Sequence, residues 1–223
     1  MQRLLDVIIS GLAIIILIPF MIPLIIILNF TGEGEVFFKQ LRIGFKGKKF
    51  KIYKFATMLK DSPNMGAGTL TMKNDTRVLP VGKFLRKTKI NELPQLLNIL
   101  FGDMSLVGPR PLVPDGEINY TAEQSEIIRS VAPGVTGIGS LVLRDEESYY
   151  AHRSDAQEFY RNVISPYKAS LEIWYVENKS FMLNFKIILA TAIAIINPSW
   201  SAADFFYSAP KIPNKMVESK LFQ

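Results

Sequence analysis

The run Val7 to Phe30, VIISGLAIIILIPFMIPLIIILNF, constrains this chain more than any other feature, because it carries no charge. It is long enough to cross a bilayer core if fully helical. Typical insertion energies of roughly −0.3 to −0.6 kcal/mol per Leu, Ile, Val or Phe sum to several kcal/mol in favour of the membrane. A cleaved signal peptide fits less well. The run is longer than a signal h-region, Asp6 interrupts the basic flank, and Leu28-Asn29-Phe30 offers no small-residue cleavage site. Pro19 and Pro23 lie inside it. Each removes a backbone donor and clashes with the preceding turn, which predicts a sharp bend. Two arrangements satisfy that: a kinked spanning helix, or a re-entrant helix that returns to the face it entered from. The segment after it is rich in Lys and Arg, namely Lys39, Arg42, Lys46, Lys48, Lys49, Lys51 and Lys54. This places the globular part on the cytoplasmic side.

The chain has 223 residues and a net charge of +6. Its length suits one domain, or one domain with an anchor. The charge suits an anionic partner such as a membrane surface or a nucleotide. Cysteine is absent, which removes disulfides, thiolate metal sites and thiol nucleophiles.

Beyond the anchor, Val36-Phe37-Phe38 and Phe50 to Phe55 read as strands joined through Gly44 and Gly47. Residues 60–75 read as a surface loop containing Gly66 and Gly68. The stretch Thr88 to Pro111 then concentrates chemistry. Asn91 reads as a helix N-cap, with Glu92 in the first turn and Pro94 tolerated there. Leu93, Leu96, Leu97 and Leu100 read as its buried face, and Gly102 as its end. Asp103 follows. Gly108-Pro109-Arg110-Pro111 is an extended segment, since a residue before proline is pushed out of the α region. An Arg held this way suits bidentate contact with phosphate. Arg86 and Lys87 lead into the stretch. Acidic groups and fixed cations at this density point to metal-assisted phosphate chemistry.

Further along, residues 122–131 read as a helix capped by Thr121. Pro133 to Ser140 is a Gly-rich turn region leading to Arg144 and three acids, Asp145 to Glu147. His152, the single histidine, reads as a surface residue. Residues 156–178 read as a helix broken near Pro166, with Tyr160, Tyr167, Trp174 and Tyr175 as packing residues. Phe181 to Ile196 is apolar but short for a span, and reads as a core helix or an amphipathic helix in the membrane interface, ended by Pro198. The tail from Ser199 reads as a peripheral extension. The fold class is therefore α+β and mainly helical. It divides into an anchor (1–30), a catalytic domain with a small hairpin (31–198) and an extension (199–223).

The anchor, Phe50 to Phe55, Asn91-Glu92-Leu93-Pro94-Gln95-Leu96, the run Gly102 to Pro111 and Pro133-Gly134-Val135-Thr136-Gly137 together resemble the bacterial sugar transferases, in particular their small monotopic phosphoglycosyl transferases. The resemblance implies an enzyme that moves a sugar 1-phosphate from a UDP-sugar to undecaprenyl phosphate with Mg2+, releasing UMP. It implies a re-entrant helix broken at Pro19 and Pro23, interfacial helices around the active site, and a location on the cytoplasmic face of the bacterial inner membrane. It implies that Glu92 holds Mg2+ or acts in catalysis, that Arg86 and Arg110 hold diphosphate oxygens, that Asp103 buttresses Arg110, and that Arg144 lies near the nucleotide.

One position departs from the family pattern. Asn91 stands where the family carries its nucleophilic Asp. A carboxamide has no anionic oxygen to attack with. Three readings follow: catalysis through Glu92 or by direct attack of the lipid phosphate, an exchanged residue that traps a substrate complex, or a membrane-bound scaffold of the same pathway that binds without turnover. The membrane run argues against a nucleic-acid partner. The sequence is compatible with a homodimer.

Overall fold

The computed structural model describes residues 2–31, 33–65, 75–114, 119–150, 153–197 and 199–221. His152, Pro198 and the Gly66 to Gly68 part of the expected loop lie outside them. The architecture is mainly helical, with two small sheets. The chain forms two compact units, residues 1–41 with 51–104, and residues 42–50 with 105–223.

The first unit begins with α1 (Gln2–Asn29), one helix that runs through Pro19 and Pro23. Its most apolar stretch is almost wholly exposed, with Ile15, Ile16 and Phe20 all more than 60% accessible. Both ends of α1 nevertheless rest on protein. Near the start, Asp6 and Ser10 are buried, and the Arg3 guanidinium donates to the carbonyls of Ile99 and Leu100. Those carbonyls belong to the last turn of α3 (Gln95–Phe101), where a cation is favoured and unsatisfied acceptors need donors. At the other end, Leu28 packs with Phe55 and Leu85 in a small core.

β1 (Phe37–Ile43) and β2 (Lys49–Phe55) form the expected hairpin through Gly44 and Gly47. α2 (Pro80–Lys87) starts with proline at the position where a missing donor costs nothing. Its Gly82 faces the Thr57 carbonyl so closely that a Cβ would lie 2.1 Å from that oxygen.

The central stretch differs from its sequence reading. Residues Ile90–Glu92 form a single 3-10 turn, and α3 begins only after Pro94. Asn91 is therefore inside a turn and caps nothing. The buried face of α3 is Gln95, Asn98 and Ile99 rather than the leucines, which are half-buried. The reason is polar. Asn98 is fully buried and ties α3 to β2, accepting from Tyr53 N–H at 3.0 Å and donating to the Lys51 carbonyl at 2.8 Å. Its own carbonyl receives the N–H groups of Gly102, Asp103 and Met104. Gly102 ends the helix at φ 94°, as expected of a left-handed cap.

In the second unit, β3 (Ser105–Val107) and β4 (Gly134–Thr136) run parallel, pairing Ser105 with Gly134 and Val107 with Thr136. The Gly-rich segment read as a turn is thus a strand followed by α5 (Ile138–Val142). Its glycines permit close backbone approach: a Cβ on Gly134 would lie 2.1 Å from the Gly108 nitrogen. α4 (Ala122–Arg129) carries the expected Thr121 cap as a full capping box with Gln124.

The helix expected over 156–178 resolves into α6 (Ala156–Phe159), a π turn (Tyr160–Ile164) and α7 (Ser165–Asn178). Pro166 sits in the first turn of α7, and the wider turn before it carries the chain through instead of breaking it. Tyr167 and Tyr175 are core residues, as read. α8 (Phe181–Ile196) buries Leu183, Ile187, Ala190 and Ala194 and leaves Phe181, Met182, Phe185, Ile188, Leu189, Ile195 and Ile196 exposed.

The segment after residue 198 is not peripheral. α9 (Ala202–Phe205) and α10 (Asn214–Leu221) place Ala202 and Met216 in the main core, with Phe206 between them. The Pro210 carbonyl accepts a bond from the Tyr167 hydroxyl.

Replacing Asn98 by Ala strands the Tyr53 N–H and the Lys51 carbonyl of β2. It should cost about 2–3 kcal/mol, seen as a drop of roughly 5–10 °C in thermal unfolding in detergent.

Candidate active site

The sequence-predicted residues fall in both units. In the first, the Lys54 ammonium and the Glu92 carboxylate form an ion pair at 2.9 Å, with both side chains largely buried. Lys54 comes from β2, and Glu92 closes the 3-10 turn. The sequence offered Lys54 only as one member of a basic run. The pairing needed the hairpin to fold back on the turn. Next to Glu92, Asn91 is 8% exposed, and its carboxamide oxygen is buried with no hydrogen-bond partner. Such an orphan costs of order 1–3 kcal/mol, and it marks the position as one shaped by something other than stability. The turn is entered through Lys89 at φ 62°, a left-handed conformation that a non-glycine residue adopts only at a cost.

Arg86 lies in the last turn of α2, half-buried, with its guanidinium 3.6 Å from the Met58 sulfur. Asp103 follows Gly102, half-buried, with no ion pair among the described residues. No group of three or more His, Cys, Asp or Glu could hold a metal among the described residues. A cation here would draw on Glu92, on the unpartnered Asn91 oxygen, and on ligand oxygens.

The second unit holds Arg110, Arg144 and an acid the sequence did not single out. Parallel β3 and β4 discharge at the same end into Gly108 to Pro111 and into Gly137 to Ser140. The Gly108 N–H donates to Thr136, and the Gly134 N–H to Pro109. Arg110 is thereby held between two fixed prolines, half-buried, with no hydrogen-bond partner for its guanidinium among the described residues. Its backbone N–H donates to Glu172 at 3.2 Å. Glu172 belongs to α7 and is 2% exposed, and its second oxygen has no partner. Burial pushes its carboxyl up to about 7, against the lowering influence of the Arg110 N–H and of Lys168 and Arg110. Sequence spacing could flag Glu172 only as an acid one turn from Lys168 on a face shared with Leu171 and Tyr175. Arg144 is committed differently, since its guanidinium donates to the Ala194 carbonyl in the last turn of α8. Of the three acids after it, Glu146 pairs with Lys168 at 2.8 Å.

The sequence profile of the bacterial sugar transferases matches residues 1–198, which includes all of these positions. The chain belongs to that family. It is 38% identical over 163 residues to an uncharacterized sugar transferase, EpsL, of Bacillus subtilis, an alignment covering 73% of this chain and 71% of that protein. It is 35% identical to the UDP-glucose:undecaprenyl-phosphate glucose-1-phosphate transferase of Klebsiella pneumoniae, over 89% of this chain but 41% of that protein. The undecaprenyl-phosphate galactose phosphotransferase of Salmonella typhimurium is 31% identical, over 88% of this chain and 40% of its own length. The chain thus spans about two fifths of those two larger relatives. Among the sequence-predicted residues, Asn91, Glu92 and Arg110 lie on short turns, and the buried Glu172 beside Arg110 comes from a helix.

Glu172 also sets a stability signature. Its folded pKa is raised above the ordinary carboxyl value of 4.5. The stability it contributes is present below about 4.5 and is lost as pH rises through about 7. Thermal unfolding between pH 5 and pH 8 should therefore show a loss of about 1–3 kcal/mol in the wild type, and a flatter profile in Glu172→Gln.

Proposed function

We propose that this chain transfers a sugar 1-phosphate from a UDP-sugar to undecaprenyl phosphate, releasing UMP, as the first membrane step of glycoconjugate assembly. The observation that carries the reading is the partly buried Lys54–Glu92 pair beside Asn91, in a chain that matches the sugar transferase profile from residue 1 to residue 198. The names of the Klebsiella and Salmonella relatives supply the lipid acceptor.

The residues divide the work by charge. Arg86 and Arg110 neutralise diphosphate oxygens, which is most of what phosphoryl transfer asks of a protein. Arg110 is preset for this by its two prolines, so little entropy is lost on binding. Lys54 fixes the Glu92 carboxylate in place through their ion pair. Asn91 has no anionic oxygen, so attack on the sugar-bearing phosphorus falls to the Glu92 carboxylate or to an oxygen of the lipid phosphate. In either route a new P–O bond forms, the bond from that phosphorus to the bridging oxygen breaks, and UMP departs with the electron pair. Glu92 and the Asn91 oxygen are the protein groups available to Mg2+, with diphosphate oxygens completing the set, as this hard cation prefers. When bound, Mg2+ supplies charge neutralisation at the diphosphate.

The same reading places the protein on the cytoplasmic face of the bacterial inner membrane with a re-entrant α1. A spanning helix presents its ends to opposite faces. Arg3 and Asp6 near one end and Leu28 at the other both rest on the same unit, which supports entry and return on one side. The exposed apolar face of α8 fits a helix lying in the interface.

The test is UMP release by the protein in lipid nanodiscs with Mg2+, undecaprenyl phosphate and a panel of UDP-sugars. One donor should give sustained release, and Glu92→Gln should lower it at least 100-fold. Asn91→Asp should leave turnover within a few-fold of wild type or below it. A gain of orders of magnitude would show that Asn91 blocks a site built for Asp. A stoichiometric burst of UMP without lipid acceptor assigns attack to Glu92, and its absence assigns it to the lipid phosphate. Nucleotide binding without release from any donor would identify a binding protein instead.

A further inference from the structure

Glu172 is a buried acid that the proposed chemistry leaves unused. Its side chain crosses from α7 to the point where the two parallel strands end. One oxygen accepts the Arg110 N–H at 3.2 Å. The same oxygen sits so close to Gly139 that a Cβ there would approach it to 2.5 Å, and the other faces Gly137, 3.9 Å from where its Cβ would be. The carboxyl thus lies against both segments that leave the sheet. One bears Arg110, and the other leads to Arg144. From the same helix, the Tyr175 hydroxyl lies 3.2 Å from the Val107 carbonyl and 2.8 Å from Asn184 Oδ1, fixing the strand that precedes Arg110.

We infer that Glu172 is a positioning residue for Arg110: it fixes the backbone of the Pro109-Arg110-Pro111 segment, and its charge state sets how firmly that segment is held.

Pro109 and Pro111 carry no N–H, so the Arg110 N–H is the one backbone donor of the segment. The Pro109 and Pro111 carbonyls accept from the Gly134 N–H and the Arg42 guanidinium, and the bond to Glu172 is the tether made at Arg110 itself. A carboxylate accepts an N–H more strongly than a neutral carboxyl does. The groups facing Glu172 are Arg110, Lys168, Tyr120 and, through Lys168, Glu146. Arg110 and Lys168 favour its ionised form, and burial opposes it. The balance falls near neutrality, so the tether tightens as pH rises through that region.

The inference rests on the transferase reading only for its consequence in catalysis, and a readout independent of turnover separates the two. Between Gly108 and Leu112 the single amide proton is that of Arg110, so its hydrogen exchange is read without overlap. In the full chain in nanodiscs, the protection of this amide, corrected for intrinsic rate, should rise several-fold from pH 6 to pH 8. Glu172→Gln keeps an acceptor but cannot ionise, and should show no such rise. Glu172→Leu should lose at least tenfold in protection while the Asn98-bonded turn of the first unit, followed as an internal control, keeps its own. In the UMP-release assay Glu172→Leu should lower kcat more than it raises KM, and Glu172→Asp should restore part of the loss. Any inflection shared by wild type and Glu172→Gln belongs to the substrates. Unchanged Arg110 protection in Glu172→Leu, or the same pH rise in Glu172→Gln as in wild type, would overturn the inference. If protection responds as described while wild type releases no UMP, the positioning role stands and the transferase reading fails.

Discussion

Close backbone approach governs the second unit. At Gly108, Gly134 and Gly137 two strands run so near each other that a side chain on any of them would meet main-chain atoms at 2.1 to 2.4 Å. A parallel pair only three residues long has few ladder bonds of its own. It persists because side chains from two helices bond to it. Tyr175 from α7 reaches Val107, and Thr191 from α8 reaches Thr136 at 2.7 Å. Parallel strands end together, so the segments they release emerge side by side. Ligands of open α/β sheets gather at this end of parallel strands for the same reason. Here the two released segments lead to Arg110 and to Arg144.

The first unit solves a different problem, which is how to seat an acid and a cation in a largely buried turn. Asn98 does most of this. One side chain satisfies the edge of β2 while its own carbonyl gathers three N–H groups from the chain leaving α3. With β2 fixed to α3, Lys54 on the strand and Glu92 on the turn are brought to ion-pair distance. Buried pairs of this kind add little to stability, since desolvation offsets the attraction. Their value is that both charges are held in one place. The left-handed Lys89 and the unpartnered Asn91 oxygen, a few residues apart in the same turn, carry local costs of the kind that gather at functional sites.

How far the sequence was readable depended on the range of the interaction. The apolar run, the Thr121 cap, the Gly102 stop and the hairpin glycines are local signals, and each appears where its residues predict. Asn91 as an N-cap was a fair local reading that failed, because Pro94 delays the helix and leaves Asn91 in a separate turn. The leucines of α3 promised a buried face, but the demand of two backbone groups on β2 rotated Asn98 and Gln95 inward. Glu172 could not be found by pattern at all. Its meaning comes from Arg110, 62 residues earlier in the chain. The bonding of Arg144 was not legible in the sequence, since its partner is the last turn of a helix that begins far downstream.

The tail after residue 198 lies beyond the family profile, yet Ala202, Phe206 and Met216 are buried in the same core as Ile138 and Tyr175. The limit set by ancestry and the limit set by packing are therefore different residues. A chain cut where the shared sequence stops would keep every residue assigned here to phosphate chemistry. It would also open the apolar interior beneath α5 to water, and the Tyr167 hydroxyl would lose its acceptor.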